Sequence, residues 1–126
     1  MKLSIAILLI FSVLCGIADA ADETCTTGNT TGSASGLLFT GGGYLRAIQL
    51  TPDTNDVILT LYDSKTAASG RVVGYWSTAG SASPLTSGRT YDDVLFKTGL
   101  YYSITQTGAT FSVEYGTSTG RCGAGY

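Results

Sequence analysis

Short apolar runs alternate with turn residues along most of the chain, and no helical period is present. Within the segment from Val57 to Asp63, apolar residues occupy every second position, which is the pattern of a half-buried β-strand. The strands predicted in this way are Leu37–Phe39, Tyr44–Leu50, Val57–Asp63, Arg71–Ser77, Tyr91–Phe96, Leu100–Gln106 and Thr110–Tyr115. About seven antiparallel strands predict an all-β fold, a single β-sandwich that is either jelly-roll or immunoglobulin-like.

The last two predicted strands flank the short link Thr107-Gly108-Ala109. Leu100–Gln106 places alternate apolar residues on one face, and Thr110–Tyr115 repeats the pattern. A short glycine-containing link between two alternating segments is typical of a β-hairpin. We therefore expect residues 100–115 to form one.

The two ends of the exported part of the chain are rich in small polar residues and glycine. Residues 21–36 predict an extended polar arm, and residues 117–126 predict a glycine-rich tail. The β-sandwich domain is then expected over residues 37–116. The run Gly41-Gly42-Gly43 lacks the ending of a phosphate-binding loop and precedes a strand, so it predicts a tight connection or a close backbone contact.

The first twenty residues have the three parts of a secretion signal. Lys2 is followed by the apolar run Leu3–Ile17, and Ala18-Asp19-Ala20 offers small residues at the cleavage positions. The run is shorter than the roughly 20 residues of a membrane-spanning helix. We expect cleavage after Ala20; an uncleaved anchor and a lipoprotein attached at Cys15 are the alternatives.

Cleavage leaves two cysteines, Cys25 and Cys122, which bracket the domain. In an oxidising compartment such a pair predicts a disulfide, since exported proteins seldom keep exposed thiols. A bond that closes so long a loop stabilises a fold by roughly 4 to 5 kcal/mol in the chain-entropy model. The protein is therefore expected to be secreted or displayed on a cell surface.

The net charge of the whole chain is −2, and its basic residues are scattered. This predicts no nucleic-acid partner, and membrane contact only through an uncleaved signal.

The chain has no histidine, which removes the most common general base and metal ligand. Asp92 and Asp93 are neighbours on a predicted strand, so they point to opposite faces and do not form a catalytic pair. The turn residues Asp53, Asn55 and Asp56 are a weak calcium candidate that lacks the remainder of an EF-hand loop. The sequence therefore predicts no catalytic residues, no cofactor and no enzyme.

Aromatic residues are the remaining candidates for a binding surface. Tyr75 and Trp76 are adjacent on one strand, so one should face the core and the other solvent. The exposed ring would lie beside Tyr62, Tyr91 or Tyr101, and such a cluster could stack on a sugar or form a protein interface.

Two segments carry a further signal: Leu59–Gly70 (LTLYDSKTAASG) and Phe96–Tyr115 (FKTGLYYSITQTGATFSVEY). Both resemble segments of accessory virion proteins of tailed bacteriophages, of the head-fibre or decoration kind. The resemblance implies a small non-enzymatic β-sandwich that attaches to a larger assembly. The chain departs from that group in its secretion signal and its cysteine pair, so the module is either adapted for export or convergent.

The leading hypothesis is an exported structural or surface-decoration protein whose partner is itself or another surface or virion protein. The sequence predicts association through exposed sheet edges. The alternative is a secreted binding module, an adhesin or glycan binder, that uses an aromatic face around Trp76.

Overall fold

Eight β-strands form two four-stranded antiparallel sheets in the computed structural model, which describes residues 24–29 and 34–118. The predicted signal, residues 1–20, and Cys122 lie outside the described residues. No helix able to span a membrane occurs within those two ranges. The strands are β1 (Thr24–Asn29), β2 (Ser35–Thr40), β3 (Gly43–Thr51), β4 (Val57–Asp63), β5 (Val72–Thr78), β6 (Ser87–Phe96), β7 (Gly99–Ile104) and β8 (Thr110–Thr117).

The predicted β-sandwich is confirmed, and the seven predicted strands correspond to β2 through β8. The additional strand, β1, lies in the segment that was predicted to be a polar arm. It pairs with β8 from Thr24 opposite Gly116 to Asn29 opposite Phe111, and Cys25 within it is buried. The strand is held by backbone pairing to its neighbour, so its sequence carries little of the apolar alternation on which the prediction depended.

The order of strands makes the sandwich a jelly roll. Sheet A has the order β1-β8-β3-β6 and sheet B the order β2-β7-β4-β5. The pairs β1–β8, β2–β7, β3–β6 and β4–β5 are those of one long hairpin folded over into two sheets. This arrangement decides between the two layouts that the sequence left open.

The predicted hairpin over residues 100–115 is wrong. β7 lies in sheet B and β8 in sheet A, so their connection crosses from one sheet to the other. Among the eight described strands, β4 and β5 are the only consecutive pair that lies in the same sheet. A short glycine-containing link can join two strands of one sheet as a hairpin, and it can also join strands of different sheets. The second connection is possible because a few residues are enough to span the ~10 Å between packed sheets.

The core lies between the sheets and is built from the alternate positions of each strand. Phe39, Phe96 and Tyr115 pack with ring centroids 5.3 to 6.3 Å apart and close one end of it. At the same end, a Cβ on Gly43 would collide with the Gly116 carbonyl and lie 2.7 Å from Phe96 Cζ. The close backbone contact predicted for the glycine run is therefore present at Gly43.

Candidate functional site

A continuous row of apolar and aromatic side chains crosses the outer face of sheet B. Leu37 on β2 lies opposite Tyr101 on β7, Tyr101 opposite Tyr62 on β4, and Tyr62 opposite Val72 on β5. We call these four residues the apolar row. Residues directly opposite on neighbouring strands have Cβ atoms ~5 Å apart, so the four side chains are neighbours from strand to strand across the sheet.

Both ends of the apolar row are well exposed, with Leu37 at 46% and Val72 at 51% of full exposure. Tyr75, at 46%, lies in the next row of the same face, opposite Thr60. Ile58, at 37%, follows opposite Ser77. A contiguous exposed apolar patch on a soluble domain is often a binding surface.

The outer face of sheet A has the opposite character over most of its area. Gln49, Ser112 and Glu114 lie there, with Thr26 opposite Glu114 on the edge strand β1. Two surface cavities on this sheet, of about 340 and 240 Å³, have no aromatic side chain in their lining. Polar residues therefore dominate the outer face of sheet A, except where Tyr44 and Leu95 lie opposite each other and are 38% and 42% exposed.

The structure separates Tyr75 from Trp76 in the way that the strand alternation predicts. Trp76 is half-buried, packs against the core and donates from Nε1 to Ser87 Oγ at 3.0 Å. Tyr75 faces solvent on sheet B. The aromatic residues on the outer face of sheet B are therefore Tyr62, Tyr75 and Tyr101, of which Tyr75 is exposed and the other two are partly buried. Trp76 is not the centre of this face.

Tyr91 belongs to β6 and has a different position from the other candidate aromatics. Its hydroxyl accepts a hydrogen bond from the Tyr75 backbone N–H at 2.8 Å and donates to the Tyr75 carbonyl at 2.7 Å. The Arg89 guanidinium lies 5.1 Å from the centre of the Tyr91 ring. Tyr91 therefore covers the outer backbone groups of the edge strand β5.

Two more contacts join the edges of the two sheets along this side, which we call the β5–β6 seam. Arg71 Nη2 donates to the carbonyl of Leu95 on β6. Trp76 Nε1 makes the bond to Ser87 given above. On the far side of β6, residues 91–93 bulge opposite Arg46, whose Nε lies 3.2 Å from Asp93 Oδ1.

The carboxylate of Asp63, at the end of β4, accepts hydrogen bonds from the turn between β6 and β7. Its Oδ1 accepts from Thr98 N at 2.8 Å and Thr98 Oγ1 at 2.7 Å, and its Oδ2 accepts from Lys97 N at 2.9 Å. Arg71 Nη2 lies 3.3 Å from Oδ2. Burial by itself raises the pKa of this carboxyl, but the hydrogen bonds from Thr98, Lys97 and Arg71 outweigh burial and hold the pKa well below its usual range.

The residues of the weak calcium candidate organise the turns at one end of the sandwich. Asp53 Oδ1 accepts from Asn55 N at 2.8 Å, and Asp56 Oδ1 accepts from Gly80 N at 2.9 Å. In the described part of the chain, no group of three acidic, cysteine or histidine side chains is placed to hold a metal ion. The observed contacts are those of turn residues.

Cys25 is buried on β1 opposite Tyr115. Its expected partner, Cys122, lies outside the described residues, so this pairing stays a prediction.

Sequence reasoning identified the three tyrosines of this face but missed Leu37 and Val72. The exposure of Val72 follows from strand alternation, because its neighbour Val73 is buried. Leu37 faces outward because the register of β2 shifts between Leu37 and the buried Phe39, and alternation alone does not predict that shift.

No protein family, curated protein or solved structure matches this chain.

Proposed function

We propose that the protein is an exported, non-enzymatic surface module that decorates a larger assembly and associates through the outer face of sheet B. The observation that carries the proposal is the apolar row, which runs across all four strands of sheet B, whereas the exposed apolar pair on sheet A, Tyr44 and Leu95, spans two strands. A sandwich whose exposed apolar surface lies mainly on one sheet has a defined side for attachment.

The contacts of the β5–β6 seam favour association through the outer face of sheet B over strand addition at the β5 edge. Tyr91 covers the outer backbone groups of β5 at Tyr75, and the bulge at residues 91–93 interrupts β6. Both devices hinder strand addition by another chain. The proposed contact therefore differs from the edge-to-edge association that the sequence suggested.

The size of the face indicates how strong one contact is. Four strands spaced ~4.8 Å apart and some six residues long offer on the order of 400 Å². Stable complexes bury about 800 Å² on each partner. A single contact is therefore weak, and attachment becomes firm when many copies act together on one assembly.

Sedimentation of the mature protein over a range of concentrations tests this proposal. We expect a monomer at low micromolar concentration and reversible association at several hundred micromolar. The double variant Leu37→Ser/Val72→Ser should remain monomeric, while Gln49→Ser on the polar face should behave like the wild type. A wild-type protein that stays monomeric throughout, or a double variant that associates equally, counts against the proposal.

Glycan binding is a second candidate, because Tyr62, Tyr75 and Tyr101 lie on the same exposed face. Flat aromatic rings on a rigid sheet suit stacking against the apolar side of a sugar. A glycan array with the wild type and a Tyr62→Ala/Tyr101→Ala variant tests this candidate. Binding that requires the two rings supports it, and no binding to any glycan rules it out.

A further inference from the structure

A surface cavity lies where β4 begins and β5 ends, and the Thr60–Tyr75 pair separates it from the apolar row. It has a volume of about 290 Å³ and is lined by Asp56, Val57, Ile58, Tyr75, Ser77, Thr78 and Ala79. Small-molecule sites typically range from ~300 to 1,000 Å³, so this cavity is at the small end and suits a single compact ring.

The lining combines three kinds of chemistry. Tyr75 provides an exposed aromatic ring, and Ile58 provides apolar surface beside it. Ser77 and Thr78 add hydroxyl groups that both donate and accept hydrogen bonds. Asp56 adds a carboxylate, which accepts hydrogen bonds from hydroxyl or amino groups of a ligand.

Two of these groups are held in place by other parts of the fold. The Tyr75 backbone N–H donates to the Tyr91 hydroxyl, which in turn donates to the Tyr75 carbonyl, and these two bonds fix the backbone at the base of the exposed ring. Gly80 N donates to Asp56 Oδ1, which fixes the carboxylate at the rim. A site that is ordered before the ligand arrives loses less conformational entropy on binding.

We propose that this cavity binds one pyranose ring of a neutral or amino sugar. The ring stacks its apolar side on Tyr75 and Ile58, and its hydroxyl or amino groups donate to the Asp56 carboxylate. No basic side chain lines the cavity, so an acidic sugar meets the Asp56 charge without compensation and is rejected. The inference rests on the second candidate function and names its binding site.

Titration of the isotope-labelled mature protein, followed by amide NMR shifts, tests the proposal. The probes are methyl glucopyranoside, glucosamine and glucuronic acid. We expect the first two to shift the amides of Ile58, Ser77 and Thr78 in a saturable manner, and glucuronic acid to shift them at least tenfold more weakly. No saturable shift with either non-acidic sugar, or equal binding of glucuronic acid, overturns the proposal.

Variants then assign the binding to the cavity. Tyr75→Ala should weaken sugar binding about tenfold, because it removes the stacking ring. Asp56→Asn keeps the oxygen that accepts from Gly80 and should remove the discrimination against glucuronic acid. Tyr44→Ala, on the outer face of sheet A, is the matched control and should bind like the wild type.

The same variants distinguish failure of this site from failure of glycan binding as a whole. If the array finds a glycan ligand but Tyr75→Ala binds it like the wild type, the cavity assignment is wrong and glycan binding stands. If neither the array nor the titration detects binding, both fail, and association through the apolar row is still tested separately by sedimentation.

Discussion

The Asp63 carboxylate ties the end of β4 to the turn between β6 and β7, and so connects the two sheets. It accepts from two backbone N–H groups and one hydroxyl of that turn, and it lies beside the Arg71 guanidinium. Hydrogen bonds to an ionised group are stronger than those between neutral groups. This residue is thus a structural anchor for the aromatic end of the core.

Replacing Asp63 with Asn should lower the free energy of unfolding at pH 7 by about 2 kcal/mol, since the charged acceptor is lost. Chemical denaturation measures the effect. Asp92→Asn, at an exposed position of β6, is the matched control and should change the midpoint little. Equal midpoints for the Asp63 variant and the wild type would show that the carboxylate does not anchor the turn.

The pH dependence of stability gives a second measure of the same residue. The folded-state pKa of Asp63 lies below the unfolded value of about 3.9, so its ionised form stabilises the fold above that pH. This contribution is lost as the pH falls below 3.9 toward the folded-state pKa. The Asp63→Asn variant should therefore lose less stability than the wild type between pH 5 and pH 2.

At the scale of elements, the β5–β6 seam joins the two sheets along one side of the sandwich. β5 and β6 are the edge strands of separate sheets, yet Arg71, Trp76 and Tyr91 connect them through side-chain hydrogen bonds. An edge strand has no neighbouring strand on its outer side, and these side-chain hydrogen bonds take the place of some of the missing backbone hydrogen bonds. They also keep β5 from serving as a template for another chain.

Tyr91→Phe removes the hydroxyl from the seam and keeps the ring beneath Arg89. We expect a loss of about 1 kcal/mol in unfolding free energy and faster formation of thioflavin-positive aggregates, because the β5 backbone becomes available for pairing. Tyr44→Phe, on the exposed face of β3, is the matched control. Aggregation of Tyr91→Phe at the wild-type rate would argue that the hydroxyl does not protect this edge.

At the scale of the whole molecule, the first and last strands of the jelly roll lie side by side. Within residues 24–29 and 34–118, β1 pairs with β8 alone, and Cys25 is buried within this pair. A covalent tie from β1 to the C-terminal segment would hold the edge strand in its sheet. This is where the predicted link to Cys122 would have most effect on the fold.

The exported protein should begin at Ala21. Its intact mass should be about two mass units below that of the fully reduced chain, because a disulfide removes two hydrogen atoms. Reduction, or a Cys25→Ser/Cys122→Ser variant, should lower the unfolding free energy by up to about 4 kcal/mol. Alkylation before and after reduction provides the check. Two cysteines that react without prior reduction contradict the predicted disulfide.

Strands β2 to β8 and most of the core were predictable because burial in a sandwich imposes a two-residue period on the sequence. Val57–Asp63 shows this directly, since its predicted inward residues are buried and its bounds agree with β4. The candidate tyrosines were identifiable from their chemistry alone. These properties are local, because they depend on each residue's type and on its position in the two-residue period of its strand.

Strand partners depended on tertiary structure, because hydrogen bonding between strands far apart in the chain leaves no local period. This is why β1 was missed, and why β7 and β8, which look like a hairpin in sequence, belong to different sheets. The apolar row has the same origin: its four residues come from four strands. The amino-acid sequence alone therefore determined which residues face inward, and the folding of the long hairpin decided which outward residues became neighbours.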